Sequence, residues 1–300
     1  MHGSGLLRAP PDARRSHVGP FVRRPCGGSG GALRVPERLL LRRGAATVVR
    51  LTARRERFAG NPMLFSRVLA DDTYLVSFPR SGSTWLRCML TTLVHGTEVT
   101  PELVAATVPD VHRSDRIRPR HLDPLVVKSH TPFVDIPAKV VYLVRDGRDA
   151  IMSFHSLQLK RGRVPPGSDP RLLFFRDDAW PCPWHEHVTG WLDGLATRAP
   201  DRHIVVRYED VVAEPARHVD AVARLAGLPA AGPDVERAVR LNARHELEAL
   251  ERQSGAGTLN HLGTARPDWR DVLSADDRQR YEAMAGPALA RLGYPLDGSP

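Results

Sequence analysis

Two short polar clusters in this chain are built to meet an anion. In the first, Arg80-Ser81-Gly82-Ser83-Thr84 follows the apolar run Thr73–Phe78 and precedes Trp85-Leu86-Arg87-Cys88-Met89-Leu90. Apolar residues resume there at helical spacing, after punctuation by Pro79 and Gly82. The pattern predicts a buried strand, a tight turn and a helix N-terminus. Hydroxyls, backbone N–H groups and the helix dipole favour a phosphate or sulfate at such a place, and Arg80 adds a fixed positive charge. The spacing is not that of a GxxxxGK[ST] loop, and the lysine of that loop is absent. The same residues also suit an ordinary capped turn. In the second cluster, Val126-Val127 runs into Lys128-Ser129-His130. A histidine at a strand end can take a proton from a hydroxyl near neutral pH, and Lys128 can neutralise charge on a departing oxygen. Alone, this pair also reads as a capping His and a snorkelling Lys.

A third segment, Val140–Val144, leads into Arg145-Asp146-Gly147-Arg148-Asp149 and, two helical turns on, Ser153. An Arg fork with a Ser hydroxyl suits a phosphate monoester. Arg148 and Asp149 read as surface ion pairs of small energetic weight.

The elements that must position these groups alternate along the chain. Strands are predicted at Thr73–Phe78, Leu125–Ser129, Lys139–Arg145 and His203–Arg207. Helices are predicted at Ser83–His95, Gly147–Lys160, from Trp184, at Glu214–Ala226, Pro233–Glu251 and Ala275–Leu292. This alternation implies an α/β fold of three layers, a central parallel sheet with helices on both faces. Ligands then bind beyond the carboxyl ends of the strands, where all three clusters lie. The Pro-rich stretch Arg161–Pro183, with Phe174, Phe175 and Trp180, reads as a lid or a long surface loop. His185 and His187 stand two apart, off a common helix face, and make a poor metal pair.

The net charge of +9 is concentrated at one end. Residues 1–60 hold thirteen Arg against Asp12, Glu37 and Glu56, or +10, so the remaining 240 residues sum to −1. A nucleic-acid-binding domain would carry its basic face on the fold itself. Residues 1–62, rich in Arg, Gly and Pro, are expected to be a disordered extension, with one domain over 63–300. Arginines interrupt every apolar run of that extension, so no secretory signal is expected there, although its Arg-rich, acid-poor character loosely resembles a transit peptide and an over-called start before Met63 is an equal reading; no window is long and apolar enough to span a membrane. Cys26, Cys88 and Cys182 form no disulfide or zinc pattern, so a reducing, cytoplasmic setting is expected. Only Lys128, Lys139 and Lys160 are lysines, a bias that suits a GC-rich, bacterial genome.

Taken together in this order, the segments resemble the sulfotransferases that use 3′-phosphoadenosine 5′-phosphosulfate (PAPS). The family's YPKSGTTW-type loop stands as Phe78-Pro79-Arg80-Ser81-Gly82-Ser83-Thr84-Trp85, and its V-K-T-H segment as Val127-Lys128-Ser129-His130. Its R-x-x-x-D-x-x-x-S pattern stands as Arg145, Asp149 and Ser153. Its Y-E-D segment is Tyr208-Glu209-Asp210, and a W-x-x-H-V-x-x-W helix is Trp184, His187, Val188 and Trp191. The resemblance covers about residues 71–294. It implies that Arg80, Ser81, Gly82, Ser83 and Thr84 hold the phosphosulfate. Arg145 and Ser153 would hold the 3′-phosphate, and Trp85 and Tyr208 would contact adenine. His130 would act as base toward a small-molecule or carbohydrate acceptor, attacking in line, with Lys128 and Arg80 stabilising the leaving oxygen and no metal required. The sequence departs from the family in having Arg80 for a loop lysine. It departs again in a degraded closing segment, Asn260–Trp269, in which Arg266 is left to supply a 3′-phosphate contact.

Other readings remain. A P-loop kinase or nucleotide hydrolase would need Mg²⁺, a loop lysine and a metal-binding Asp at a strand end. A non-catalytic nucleotide-binding relative would keep the pocket without turnover. An Arg-tail nucleic-acid binder is opposed by the near-neutral body. For the acceptor pocket the sequence offers Val111–His121, with Arg113, Arg116, Arg118 and Arg120, the lid, and Leu250–Leu262; this mixed lining suits an acceptor with an apolar and a polar or anionic part.

Overall fold

A computed structural model describes residues 48–49, 68–112, 125–253 and 266–297. The expectation of a disordered extension over 1–62 lies outside these, apart from Val48–Val49 (β1). That strand pairs antiparallel with Val68–Leu69 (β2). The next strands are Thr73–Ser77 (β3), Val126–Ser129 (β4), Lys139–Val144 (β5) and His203–Arg207 (β6). They form a four-stranded, wholly parallel sheet in the order β4-β3-β5-β6. The helices are α1 (Ser83–His95), α2 (Pro101–Thr107), α3 (Gly147–Lys160), α4 (Arg171–Phe174), α5 (Trp184–Ala196), α6 (Tyr208–Ala213), α7 (Pro215–Ala226), α8 (Gly232–Leu241), α9 (Arg244–Gln253), α10 (Trp269–Val272) and α11 (Ala275–Arg291).

Strand periodicity sorts the core into two layers. Tyr74, Val76, Val127, Val140, Tyr142 and Val144 face one way and pack with residues of α3, α5 and α11. Leu75, Val126, Val141, Leu143 and Val206 face the other way and pack with α1, α7 and α8. Successive strand residues point to opposite faces, and both faces are covered, so the strands read as continuous apolar runs. This is the three-layer α/β fold expected.

Two differences from the predicted helices have local causes. The single helix expected over Pro233–Glu251 is broken into α8 and α9 at Asn242. That residue is fully buried and spends its side-chain amide N–H groups on Thr92 Oγ1 and Ala238 O, both at 2.8 Å, while its backbone carbonyl accepts from Trp85 Nε1 at 2.8 Å. Helix α2 was not expected, although Thr100 caps it by accepting from Leu103 N and Pro101 opens it.

Candidate active site

The loop between β3 and α1 is built on positive-φ residues. Arg80 has φ 71° and Gly82 φ 94°. A Cβ at Gly82 would come within 2.5 Å of the Tyr208 ring, so only glycine fits both the conformation and the space. No side chain caps α1, and its first amides are left for a ligand. The Ser81 hydroxyl is buried without a hydrogen-bond partner.

The structure brings the predicted anion-binding residues together. Arg80 Nε donates to Ser153 Oγ at 2.9 Å, and Arg145 Nη1 donates to the Arg80 carbonyl at 3.2 Å. The Arg145 guanidinium lies 4.5 Å over the Tyr208 ring, which meets Trp85 edge-on at 6.4 Å. Burial, and then the repulsion of Arg266, lower the pKa of Arg145. Arg145 Nε is buried without a partner. Arg266 is held by Asp149, through its carboxylate at 2.6 Å and its carbonyl at 3.0 Å. The cluster therefore contains mutually repelling cations and orphaned donors, which an anion would satisfy. These residues fit a 3′-phosphorylated nucleotide carrying a 5′-phosphosulfate.

At the neighbouring strand end, His130 Nδ1 lies 2.6 Å from the Ser77 carbonyl. A carbonyl only accepts, so Nδ1 carries the proton and Nε2 keeps its lone pair. Burial, and next the Lys128 ammonium, hold the His130 pKa well below the ordinary histidine value, so the ring is neutral at physiological pH. Lys128 was expected as a cation awaiting the leaving oxygen. Instead its Nζ is already paired with Asp110 Oδ2 at 2.8 Å, both side chains being buried. Burial alone would raise the Asp110 pKa; the charge and hydrogen bond of Lys128 outweigh it and hold the carboxyl well below the usual range.

Sequence reasoning missed Asp110, and gave His112 no role beyond its place in the acceptor-pocket segment Val111–His121. His112 Nε2 accepts from the His130 amide at 2.7 Å. The two imidazoles stack at 5.7 Å and 15°, and Trp180 meets both edge-on. The one available signal is spacing: Asp110-x-His112 repeats the two-residue step of Lys128-x-His130. The lid stretch does reach the site, through Trp180, and carries the short α4. Of the segments named for the acceptor pocket, residues 113–121 and 254–262 lie outside those described, as do residues 260–265 of the closing segment.

Helix α5 ties the site together from behind. Trp184 Nε1 donates to the Arg145 carbonyl at 3.2 Å and Trp191 Nε1 to the Thr131 carbonyl at 2.9 Å. Tyr142 Oη and His187 Nδ1 are 3.0 Å apart, and burial takes the His187 pKa down to about 3. Arg148, expected at the surface, is 2 % exposed. It bonds Asp146, Glu282 and the Pro295 carbonyl and lies 4.3 Å over Trp269. Among the described residues no group of His, Cys, Asp or Glu is arranged to hold a metal ion, and no helix is long and apolar enough to cross a membrane.

The sulfotransferase domain model matches residues 70–256. The 3-alpha-hydroxysteroid sulfotransferase of Cavia porcellus is 28% identical, over 75% of this chain and 85% of its own. A flavonol sulfotransferase-like protein of Flaveria bidentis is 22% identical, over 75% and 84%. Among solved structures, a mouse sulfotransferase complexed with PAP superposes with a TM-score of 0.55 at 16% identity, over 73% of this chain and 84% of that one. Retinol dehydratase in complex with androsterone and inactive cofactor PAP gives 0.53 at 16%, over 73% and 81%. With the domain model spanning most of the chain and enclosing all three clusters, the chain belongs to the sulfotransferase family and is a PAPS-dependent sulfotransferase.

Proposed function

We propose that this enzyme moves a sulfuryl group from PAPS to a hydroxyl or amine of a small-molecule or carbohydrate acceptor, with His130 as the general base. One observation carries the reading. The Ser77 carbonyl fixes the proton on His130 Nδ1, leaving Nε2 as a lone pair at the strand end beside the anion loop. When bound, the cofactor supplies the sulfuryl group and brings negative charge that strengthens the base.

The residues of this chain do the rest by positioning and electrostatics. Arg80, Ser81, Gly82, Ser83 and Thr84 cradle the phosphosulfate. Arg145, Ser153 and Arg266 hold the 3′-phosphate. Trp85 and Tyr208 stack around the adenine. His130 Nε2 takes the proton from the acceptor as its oxygen or nitrogen attacks sulfur in line. Arg80, and Lys128 held by Asp110, place positive charge at the leaving oxygen. No metal ion enters this scheme, because arginine and lysine provide the charge neutralisation that Mg²⁺ provides in kinases. We assign the reaction to a single domain over 63–300.

Two relatives carry steroid or flavonol acceptors in their names. A site in which Trp180 meets the His112 and His130 rings edge-on suits ring-bearing alcohols and phenols of that kind. The test is incubation with PAPS, a chelator and a panel of hydroxysteroids, phenols and sugars. Sulfated product with equimolar PAP is expected from the parent. His130→Ala should give none while binding PAP as the parent does. Product formation by His130→Ala at the parent rate would remove His130 from the mechanism.

A further inference from the structure

Asp110 and His112 sit where they do because the chain adds one more rung to the sheet. Asp110 forms an isolated parallel bridge with Lys128. Lys128 N donates to Pro109 O at 2.9 Å and Val111 N to Lys128 O at 3.1 Å. Residues opposite one another on a ladder have neighbouring side chains, and residues two apart share a face. The rung therefore creates two cross-strand pairs on one face, Asp110 with Lys128 and His112 with His130. The first is a buried ion pair at 2.8 Å. The second is a stack of two imidazoles joined by the hydrogen bond from His130 N to His112 Nε2.

We propose that Asp110 and His112 are positioning residues for sulfuryl transfer: across this ladder Asp110 holds Lys128 and His112 holds the His130 backbone and ring, so that base and cation are set before substrates arrive. The proposal rests on His130 being the base. The two pairs act differently. His112 must be neutral, because only a lone pair on Nε2 accepts the His130 amide. Its proton therefore sits on Nδ1, which is buried and unpartnered. Burial, and then Lys128, hold the His112 pKa near 4, which keeps this arrangement through the physiological range. Asp110 faces Lys128, His130 and Arg87. When His130 takes a proton, the new imidazolium has that carboxylate beside it, and opposite charge at this range favours the protonated base.

His112→Ala and His112→Gln test this in the full chain. Glutamine can accept the same N–H; alanine cannot. In His112→Ala, kcat is expected to fall about ten- to a hundredfold, the loss typical when a reacting group is displaced by an ångström or less, while PAP affinity stays within about twofold. His112→Gln is expected to stay within about threefold of the parent. The ¹⁵N shifts of the imidazoles provide a readout independent of turnover. The parent and His112→Gln should show His130 with Nδ1 protonated and Nε2 bare. His112→Ala, by releasing the His130 backbone and ring, should let the ring swing off the Ser77 carbonyl, and so show mixed tautomers and a His130 titration moved up toward 6.5, with the acid limb of kcat following it. Groups facing this titration are Asp110, Lys128, His112 and, behind them, Arg87 and His187. If His112→Ala does not fold, His112→Asn, too short to accept the amide, takes its place. An unchanged tautomer pattern in His112→Ala, or an equal loss in His112→Gln, overturns the proposal. A parent protein with the expected tautomers but no sulfuryl transfer would overturn the functional reading alone.

Discussion

Replacing Arg145 with alanine separates cofactor recognition from folding, because in the free protein the residue's costs and contacts nearly cancel, and its strongest bonds need an anion. The guanidinium is partly buried, its pKa lowered by burial and by Arg266, and its Nε is without a partner. Deletion removes that repulsion but also the bond to the Arg80 carbonyl and the contact with the Tyr208 face. The losses are about 1 kcal/mol each, and the relief is of similar size and opposite sign. The free mutant should therefore melt within about 3 °C of the parent. With the bisphosphate PAP present the balance changes. A hydrogen bond to a charged group contributes about 1.5–3 kcal/mol, so Arg145→Ala should bind PAP about ten- to a hundredfold more weakly. Calorimetric titration with PAP and with adenosine 5′-phosphate checks the assignment. The parent should favour PAP strongly, and the mutant should lose that preference while binding the monophosphate nearly as before. A mutant that keeps the full advantage of PAP over the monophosphate refutes the placement of the 3′-phosphate on Arg145.

Two further outcomes follow from the loop and from the buried imidazoles. Gly82→Ala would force a Cβ to 2.5 Å from Tyr208 at φ 94°; an expected strain of about 1–3 kcal/mol should lower the melting temperature and weaken PAP binding more than tenfold, and unchanged PAP affinity would contradict the close fit. His112, His130 and His187 all have folded pKa values below the ordinary 6.5, near 4 for His112 and near 3 for His187. The unfolded chain thus binds more protons than the native one below pH 6.5, and stability falls as pH falls through that value. At about 1.4 kcal/mol per imidazole the cost between pH 7.5 and 5.5 is about 4 kcal/mol. Urea unfolding at the two pH values measures it, and equal midpoints would mean that these rings are not held neutral.

The legible part of this protein was what local sequence encodes. Apolar strands that end in polar triplets placed Arg80, His130 and Arg145 at one end of the sheet, and the glycine in the loop marked the turn. Partners supplied from distant segments were not legible. Lys128 reads as an unmatched cation because nothing in its own strand announces Asp110, which reaches it through a bridge 18 residues away. Arg148 reads as a surface residue because its partners Glu282, Pro295 and Trp269 come from the far end of the chain. Helix α9 was merged with α8 because Asn242 breaks the helix for tertiary reasons, through Thr92 and Trp85, and has no local breaker beside it.

The two indole N–H groups of α5 have a consequence for how such an enzyme can diversify. One grips the backbone at Arg145, the other at Thr131, and the two indoles hang about two turns apart on a single helix. That helix acts as a gauge block between the nucleotide end and the proton-transfer end of the site. The stretch 161–179 that precedes it can consequently vary without altering that gap, so long as the buried Phe174 keeps its place on Tyr281. Acceptor choice can drift in the lid while the reaction distance is inherited unchanged, and lids exchanged between relatives at residues 161 and 179 should carry specificity with them and leave cofactor affinity behind.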